Sequence, residues 1–377
     1  MKAPFVFGKI ATKEDFTDRE NEVRRLESNF ISGTNSILIS PRRWGKSSLV
    51  TRASEVVLKK NKKIKFCFVD LNNIRTEEQF YQNLATSVLR ASATKIQVIA
   101  ENARKFMGRF VPNLTFSPGT NSEIKLGLDW KEVKKEPGDI IDLPEKLARD
   151  SGINFIICID EFQNISEFMD PLAFQKQMRA HWQHHHNTSY CLYGSKRHMM
   201  MEVFESPSMP FYKFGDIIFL EKIGTDDWKS FLVKRFEDTG KKIGEEEAGL
   251  ISELADCHPY YVQQLARQSW LGTERVCSEE IIRNAFSDLI LQMSMLFQTI
   301  ADGLSITQMN FLRAVLSGAN QLSSQQNIAE FQLGTSANVV KIRKALINKE
   351  ILDMSQNKIF FLDPMFRRWL LEYYFKL

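Results

Sequence analysis

Short apolar runs alternate with amphipathic stretches through the first 220 positions of the chain. The run SILI, Ser36–Ile39, is followed by a helix-period stretch over 47–59. IKFCFVDL at 64–71 is followed by a long predicted helix over 76–106, capped by Thr76. NFIICI at 154–159 leads to a helix over 171–186, and further apolar runs stand at 188–193 and 217–220. Strands that are apolar throughout, rather than every second residue, are buried on both faces. Alternated with helices, they predict an α/β core with a parallel sheet. Two other stretches depart from this rhythm. RFVPNLTFSP and SEIKLGLDW alternate on either side of Pro-Gly-Thr-Asn, which predicts a β-hairpin insertion near 109–130. A helix opens at 16–22 with Thr17 or Asp18 as its cap, after a lead-in of 15 residues that reads as loosely structured. A short helix is predicted over 140–149.

From 221 the strand-like runs stop. Four helical stretches, 225–238, 245–256, 259–270 and 278–298, predict a small helical lid. Helices at 305–316, 323–330 and 336–349 then precede ILDMSQNKIFFL, two short strands about a polar turn. Three helices followed by a hairpin is the order of a winged helix. The expected domains are therefore a core over 1–220, a helical lid over 221–300 and a winged helix over 301–377.

Composition adds little to this picture. The 377 residues are 43% hydrophobic and 25% charged, as in ordinary globular proteins. A net charge of +4 is too small to indicate nucleic-acid binding by itself. There is neither a long apolar run for a membrane span nor an apolar region for a signal peptide. Cys67, Cys158, Cys191, Cys257 and Cys277 are scattered, with no C-x-x-C, which favours a reducing, cytoplasmic setting.

The chemistry gathers between the first strand and the first long helix. Ser40-Pro41-Arg42-Arg43-Trp44-Gly45-Lys46-Ser47-Ser48 follows a strand and opens a helix. It fits G-x-x-x-x-G-K-[ST], with Ser40 in place of the first glycine. Gly45 keeps a Cβ away from phosphate oxygens, Lys46 supplies a charge to the β- and γ-phosphates, and Ser47 offers a hydroxyl to Mg²⁺. Asp160-Glu161 after the apolar run at 154–159 is the matching acidic pair: the Asp for Mg²⁺, the Glu for a proton from the attacking water. The intervening strand at 64–71 marks the additional-strand type of P-loop ATPase. Ser195, after the run at 188–193, is placed to meet the γ-phosphate or the water, although an ordinary strand-end serine reads equally well.

Other residues weigh differently. Arg197 reads as solvated surface sooner than as an arginine finger. In the cluster His181, His184, His185 and His186, the first and third stand four apart on a predicted helix, but no glutamate stands at the H-E-x-x-H position and no further Cys, Asp or Glu ligand pattern follows. A solvated helix end is preferred to a metal site. His258-Pro259 opens a helix where a lid would face nucleotide, and a plain helix start explains it equally. Lys341, Arg343, Lys344 and Lys349 on the third helix of the winged helix suit DNA phosphates, or simply water.

Taken together, these residues resemble the archaeal-type P-loop ATPases of the STAND division of the AAA+-related ATPases. Phe16–Glu22 is similar to that family's h-h-G-R-E-x-E box, with Asp18 for Gly. The loop 40–48, the strand and acids at 157–162, Gly194-Ser195, His258-Pro259 and the Asp363-Pro364-Met365-Phe366-Arg367-Arg368-Trp369 stretch resemble its remaining motifs. The resemblance implies an ATP- and Mg²⁺-dependent switch whose nucleotide state moves a lid and a winged helix. It also implies that Arg19 and Glu20 help hold nucleotide or lid. DNA through the winged helix, an unidentified protein partner and a nucleotide-dependent oligomer are the partners it suggests.

Overall fold

The computed structural model describes residues 3–11, 13–93, 95–110, 113–117, 123–355 and 358–377. The chain divides into two compact units. One is Arg19–Glu221; the other joins Met1–Asp18 to Lys222–Leu377.

In the first unit, α1 (Glu20–Ser32) leads to β1 (Ser36–Ile39), and α2 (Lys46–Lys60) leads to β2 (Ile64–Asp70). Helices α3 (Glu77–Ser92) and α4 (Ile96–Met107) precede the pair β3 (Asn113–Ser117) and β4 (Glu123–Gly127). Then come α5 (Trp130–Lys135), α6 (Gly138–Ile141), α7 (Leu143–Ser151) and β5 (Asn154–Asp160). The unit ends with α8 (Pro171–Trp182), β6 (Thr188–Gly194), α9 (Arg197–Glu205) and β7 (Asp216–Phe219).

The apolar runs form one sheet in the order β2-β5-β6-β1-β7, with every pairing parallel. β1 and β6 are buried along their whole lengths, as their unbroken apolar character requires. In register, Leu38 faces Tyr193 and Ile218, and Asp70 faces Asp160. The carboxyl ends of β1, β5 and β6 therefore open along one edge, the edge where α/β sheets bind ligands.

Two local expectations change, and a third holds over the described residues. The single helix over 76–106 is two helices, with Ala93 extended between them. The break lets α4 fold back, so Ile99, Ala103 and Met107 join Leu84 and Val88 in one core, and Asn102 Nδ2 donates to Ser92 Oγ at 3.0 Å. One straight rod would carry that second apolar face out of the core. α1 starts at Glu20 with no side-chain cap, because Asp18 and Arg19 both take left-handed conformations, φ 54° and 68°. The expected hairpin strands pair antiparallel from Asn113–Gly127 to Ser117–Glu123, while the Pro-Gly-Thr-Asn turn lies outside the described residues.

The second unit contains α10 (Thr225–Glu237), α11 (Glu245–Leu254), α12 (Pro259–Gly272) and α13 (Glu279–Asp302). The two-residue strands β8 (Lys242–Ile243) and β9 (Val276–Cys277) pair between them. There follow α14 (Ile306–Leu316), α15 (Gln325–Glu330), α16 (Ser336–Asn348), the antiparallel β10 (Leu352–Ser355) and β11 (Lys358–Phe361), and α17 (Pro364–Trp369). Residue 300, where the sequence sets a boundary, lies inside α13. Phe297 of that helix packs on Phe366 and Trp369, with ring centroids 5.5 and 5.9 Å away. Tyr261 of α12 donates to Asp363 Oδ2 at 2.6 Å, and Asp363 Oδ1 caps α17. Helical and winged-helix segments thus share one hydrophobic core.

The lead-in is not loose. Phe5 is buried against Phe231 and Phe236. Arg235 of α10 donates to the Pro4 carbonyl and to Asp15, each at 2.9 Å. A buried guanidinium needs such partners, and the N-terminal segment supplies them.

Candidate functional site

The loop between β1 and α2 makes the floor of the site. Gly45 has φ 91°, a conformation that L side chains rarely adopt, and it caps α2 without any side-chain acceptor. The first-turn N–H groups of α2 thus face the loop, where an anion is favoured. Ser40, the departure from the expected glycine, does not need a positive φ; the left-handed residues of the loop are Arg43 and Gly45. The missing glycine therefore costs no backbone strain. Lys46 is buried, and its ammonium donates to the carbonyls of Ser40 and Pro41 at 2.9 and 3.0 Å. Ser48, behind it, is buried too, and Trp44 is half-buried.

The acidic wall comes from the end of β5. Ser47 Oγ donates to Asp160 Oδ2 at 2.7 Å, joining residues 113 positions apart. Burial, with the adjacent Glu161 charge adding to it, pushes the Asp160 carboxyl up to about 6 against the Ser47 hydrogen bond. A carboxylate that is costly to ionise is one that a bound cation would relieve. A hydroxyl and a carboxylate are hard oxygen donors of the kind Mg²⁺ takes, together with waters and phosphate oxygens. The residues fit Mg²⁺ in that mode. Among the described residues no group of three or more His, Cys, Asp and Glu could form an all-protein metal cage.

Glu161 stands in a left-handed conformation, φ 52°. Its Oε2 accepts from Gln163 Nε2 at 2.5 Å, from Ser195 Oγ at 2.7 Å and from Ser195 N at 3.3 Å. Burial raises its proton affinity, but those bonds and the Lys46 charge outweigh it and hold the carboxyl below its usual range. Ser195, buried at the end of β6, also accepts from Arg42 Nε at 3.4 Å. The structure so brings together Ser40–Ser48, Asp160, Glu161 and Ser195 within one unit.

Arg19 is buried, donating to the Glu221 carbonyl at 2.6 Å and pairing with Glu22 at 3.1 Å. His258 and Pro259 belong to the second unit, where His258 is buried at the start of α12 beside Tyr261. Of the four histidines, His184 and His186 are exposed, as a solvated helix end requires, whereas His181 and His185 are held by Asp142. His185 is buried between Asp142 Oδ1 at 3.0 Å and the Tyr190 hydroxyl at 2.8 Å, and His181 meets the same Asp142 oxygen at 2.9 Å. Asp142, distant in sequence, anchors them, which i, i+4 spacing alone does not reveal. Gln163, which donates to Glu161, carries no signal in the sequence. A glutamine two places after an acidic pair carries no chemical signature, and its slot is made by Gly194, 31 positions away.

Residues 295–372 match a family described as "Probable winged helix domain". No curated protein matches the chain. Among solved structures, the chain is similar to a Walker-type ATPase of Pyrococcus abyssi, with 18% identity and a TM-score of 0.68 over 97% of this chain and 99% of that one. It is similar to the ORC2 protein of Aeropyrum pernix in its ADPNP–ADP complexes, with 17% identity and a TM-score of 0.60 over 97% and 94%. It also resembles the ORC1 protein of Aeropyrum pernix in complex with DNA, with 13% identity and a TM-score of 0.51 over 99% and 98%. The chain has the fold of the Walker-type P-loop ATPases, a parallel α/β core with a C-terminal winged helix.

Proposed function

We propose that this protein binds and hydrolyses ATP with Mg²⁺ and acts as a switch of the STAND type, in which the nucleotide state of the core sets the positions of the helical lid and the winged helix. The observation that carries the reading is the 2.7 Å bond from Ser47 to Asp160 beneath a buried Lys46. A serine and an aspartate 113 positions apart meet where a P-loop would hold its metal.

In this reading Lys46 leaves its loop carbonyls to hold the β- and γ-phosphates, and the α2 N–H groups hold the rest. Ser47 and Asp160 would hold Mg²⁺, which supplies charge neutralisation on the phosphate oxygens. Ser195 turns its hydroxyl toward the γ-phosphate. Glu161 takes a proton from water as the water oxygen bonds to the γ-phosphorus. The bond from that phosphorus to the bridging oxygen breaks, and ADP leaves with the electron pair. Arg19, His258 and Pro259 contribute to nucleotide holding by family resemblance. The test is titration calorimetry with ATP and Mg²⁺ on the wild type and Lys46→Ala. The variant loses binding; affinity within threefold of wild type would refute the P-loop assignment.

A second reading is an ATP-gated DNA-binding regulator. It is favoured by α16, whose Lys341 and Lys344 are exposed beside a half-exposed Val340. Phosphate contacts release counterions, so a real complex weakens steeply as salt rises. A gel shift that disappears between 50 and 200 mM salt and weakens in Lys341→Glu supports it; no shift at low salt removes it.

A further inference from the structure

Glu161 Oε2 already accepts three hydrogen bonds, from Gln163 and from both donors of Ser195. No protein donor reaches Oε1 among the described residues. The Gln163 side chain is fully buried, and its Oε1 has no hydrogen-bond partner. Burying an amide oxygen without a partner is costly, so an apolar side chain of similar length would suit a purely packing role better.

The surroundings are shaped for this amide. A Cβ on Gly194 would stand 2.0 Å from Gln163 Oε1 and 2.7 Å from Met200 Sδ, so the glycine leaves the slot that the amide fills. The turn that delivers Gln163 is fixed as well. Glu161 takes its left-handed conformation, Asn164 N donates to the Glu161 carbonyl at 2.9 Å, and Ser166 Oγ donates to the Gln163 carbonyl at 2.8 Å. Asn164 Nδ2 ties the same turn to the Leu71 carbonyl at 3.1 Å, at the end of β2.

We infer that Gln163 is a positioning residue for Glu161. It pins Oε2 so that Oε1 is the oxygen presented to the attacking water. Ser195 binds the same Oε2. When its hydroxyl turns to a γ-phosphate, Gln163 remains to keep the carboxylate in place. The inference rests on Glu161 being the base proposed above.

The test is Gln163→Met, which fills the slot without an N–H donor. Misplacing a reacting group by about 1 Å can cost about 10²-fold in rate. The expected result is a fall of roughly 10- to 100-fold in kcat, with KM and affinity for a non-hydrolysable ATP analogue within twofold of wild type. On a Glu161→Gln background the same substitution should change kcat less than twofold, because Gln163 acts through Glu161. A kcat for Gln163→Met within twofold of wild type overturns the inference, as does an equal proportional loss on the Glu161→Gln background. Should Gln163→Met fail to fold by thermal melting, Gln163→Asn, too short to reach Oε2, carries the same expectations. If Glu161→Gln itself turns over at the wild-type rate, or the wild type binds analogue without turnover, the base assignment falls and this inference with it. A dead Glu161→Gln beside a fully active Gln163→Met overturns this inference alone.

Discussion

Asp160 and Glu161 are adjacent in sequence and opposite in electrostatic character. Burial leads at Asp160 and raises its carboxyl; at Glu161 the donors of Gln163 and Ser195 prevail over burial and lower it. That contrast accords with the proposed reading, in which Asp160 would hold the metal and Glu161 would meet the water. Glu161→Gln should therefore keep nucleotide binding while hydrolysis falls about 10²- to 10⁴-fold, the usual contribution of a general base. A phosphate-release assay checks this; unchanged turnover would remove Glu161 from the chemistry. The two acids and the loop were legible because each follows an apolar strand at a spacing with a known chemical use. Gln163 was not. Its role depends on a glycine that lies remote in sequence and adjacent in space, and no local pattern encodes that.

At the scale of elements, the sheet was legible because its strands are apolar on both faces. The ends of helices were less so. The split between α3 and α4 answers to where a second apolar face must pack, which periodicity within one window does not carry. The Asp142–His185 cluster behind α8 shows the same limit, and it has a pH consequence. Burial holds the His185 pKa below its ordinary value despite Asp142. The unfolded chain therefore takes up a proton first as pH falls below about 6.5, and the folded state loses stability from there downward. Asp142 is half-buried, yet its bonds to His185 and His181 outweigh that burial and hold its carboxyl low, so its contribution is present above about pH 4 and is lost as pH falls further. Thermal melting of the wild type should therefore drop between pH 7 and 5, and His185→Gln should flatten that portion. A wild-type midpoint that stays level over this interval would show that the cluster does not titrate with folding.

For the whole molecule, the helical and winged-helix segments share a core that includes Leu289, Phe297, Leu312, Leu346 and Phe366. The Tyr261–Asp363 bond ties α12 to the start of α17. Tyr261→Phe removes a hydrogen bond to a charged acceptor, worth about 1.5–3 kcal/mol. The expected outcome is that both segments lose stability together, seen as hydrogen-exchange protection falling in α12 and α17 alike. Loss of protection confined to α12 would mean that the two segments open independently. The order of three helices and a hairpin made the winged helix readable, whereas the sharing of a core is a tertiary fact that a boundary drawn by composition does not capture. Among the described residues, no helix is long and apolar enough to cross a membrane.

Arg19 reaches the Glu221 carbonyl at 2.6 Å, so the first unit begins and ends at neighbouring points. In the connectivity of the chain it is a guest domain threaded into a host. The host is interrupted after residue 18 and resumes at 222, and Phe5 and Asp15 bind it from the far side of the interruption in sequence. Trimming the first 18 residues would thus leave the unit that carries the loop 40–48 whole and injure the unit that bears the winged helix. A short bridge joining the two flanks should excise the guest and leave a host that still folds.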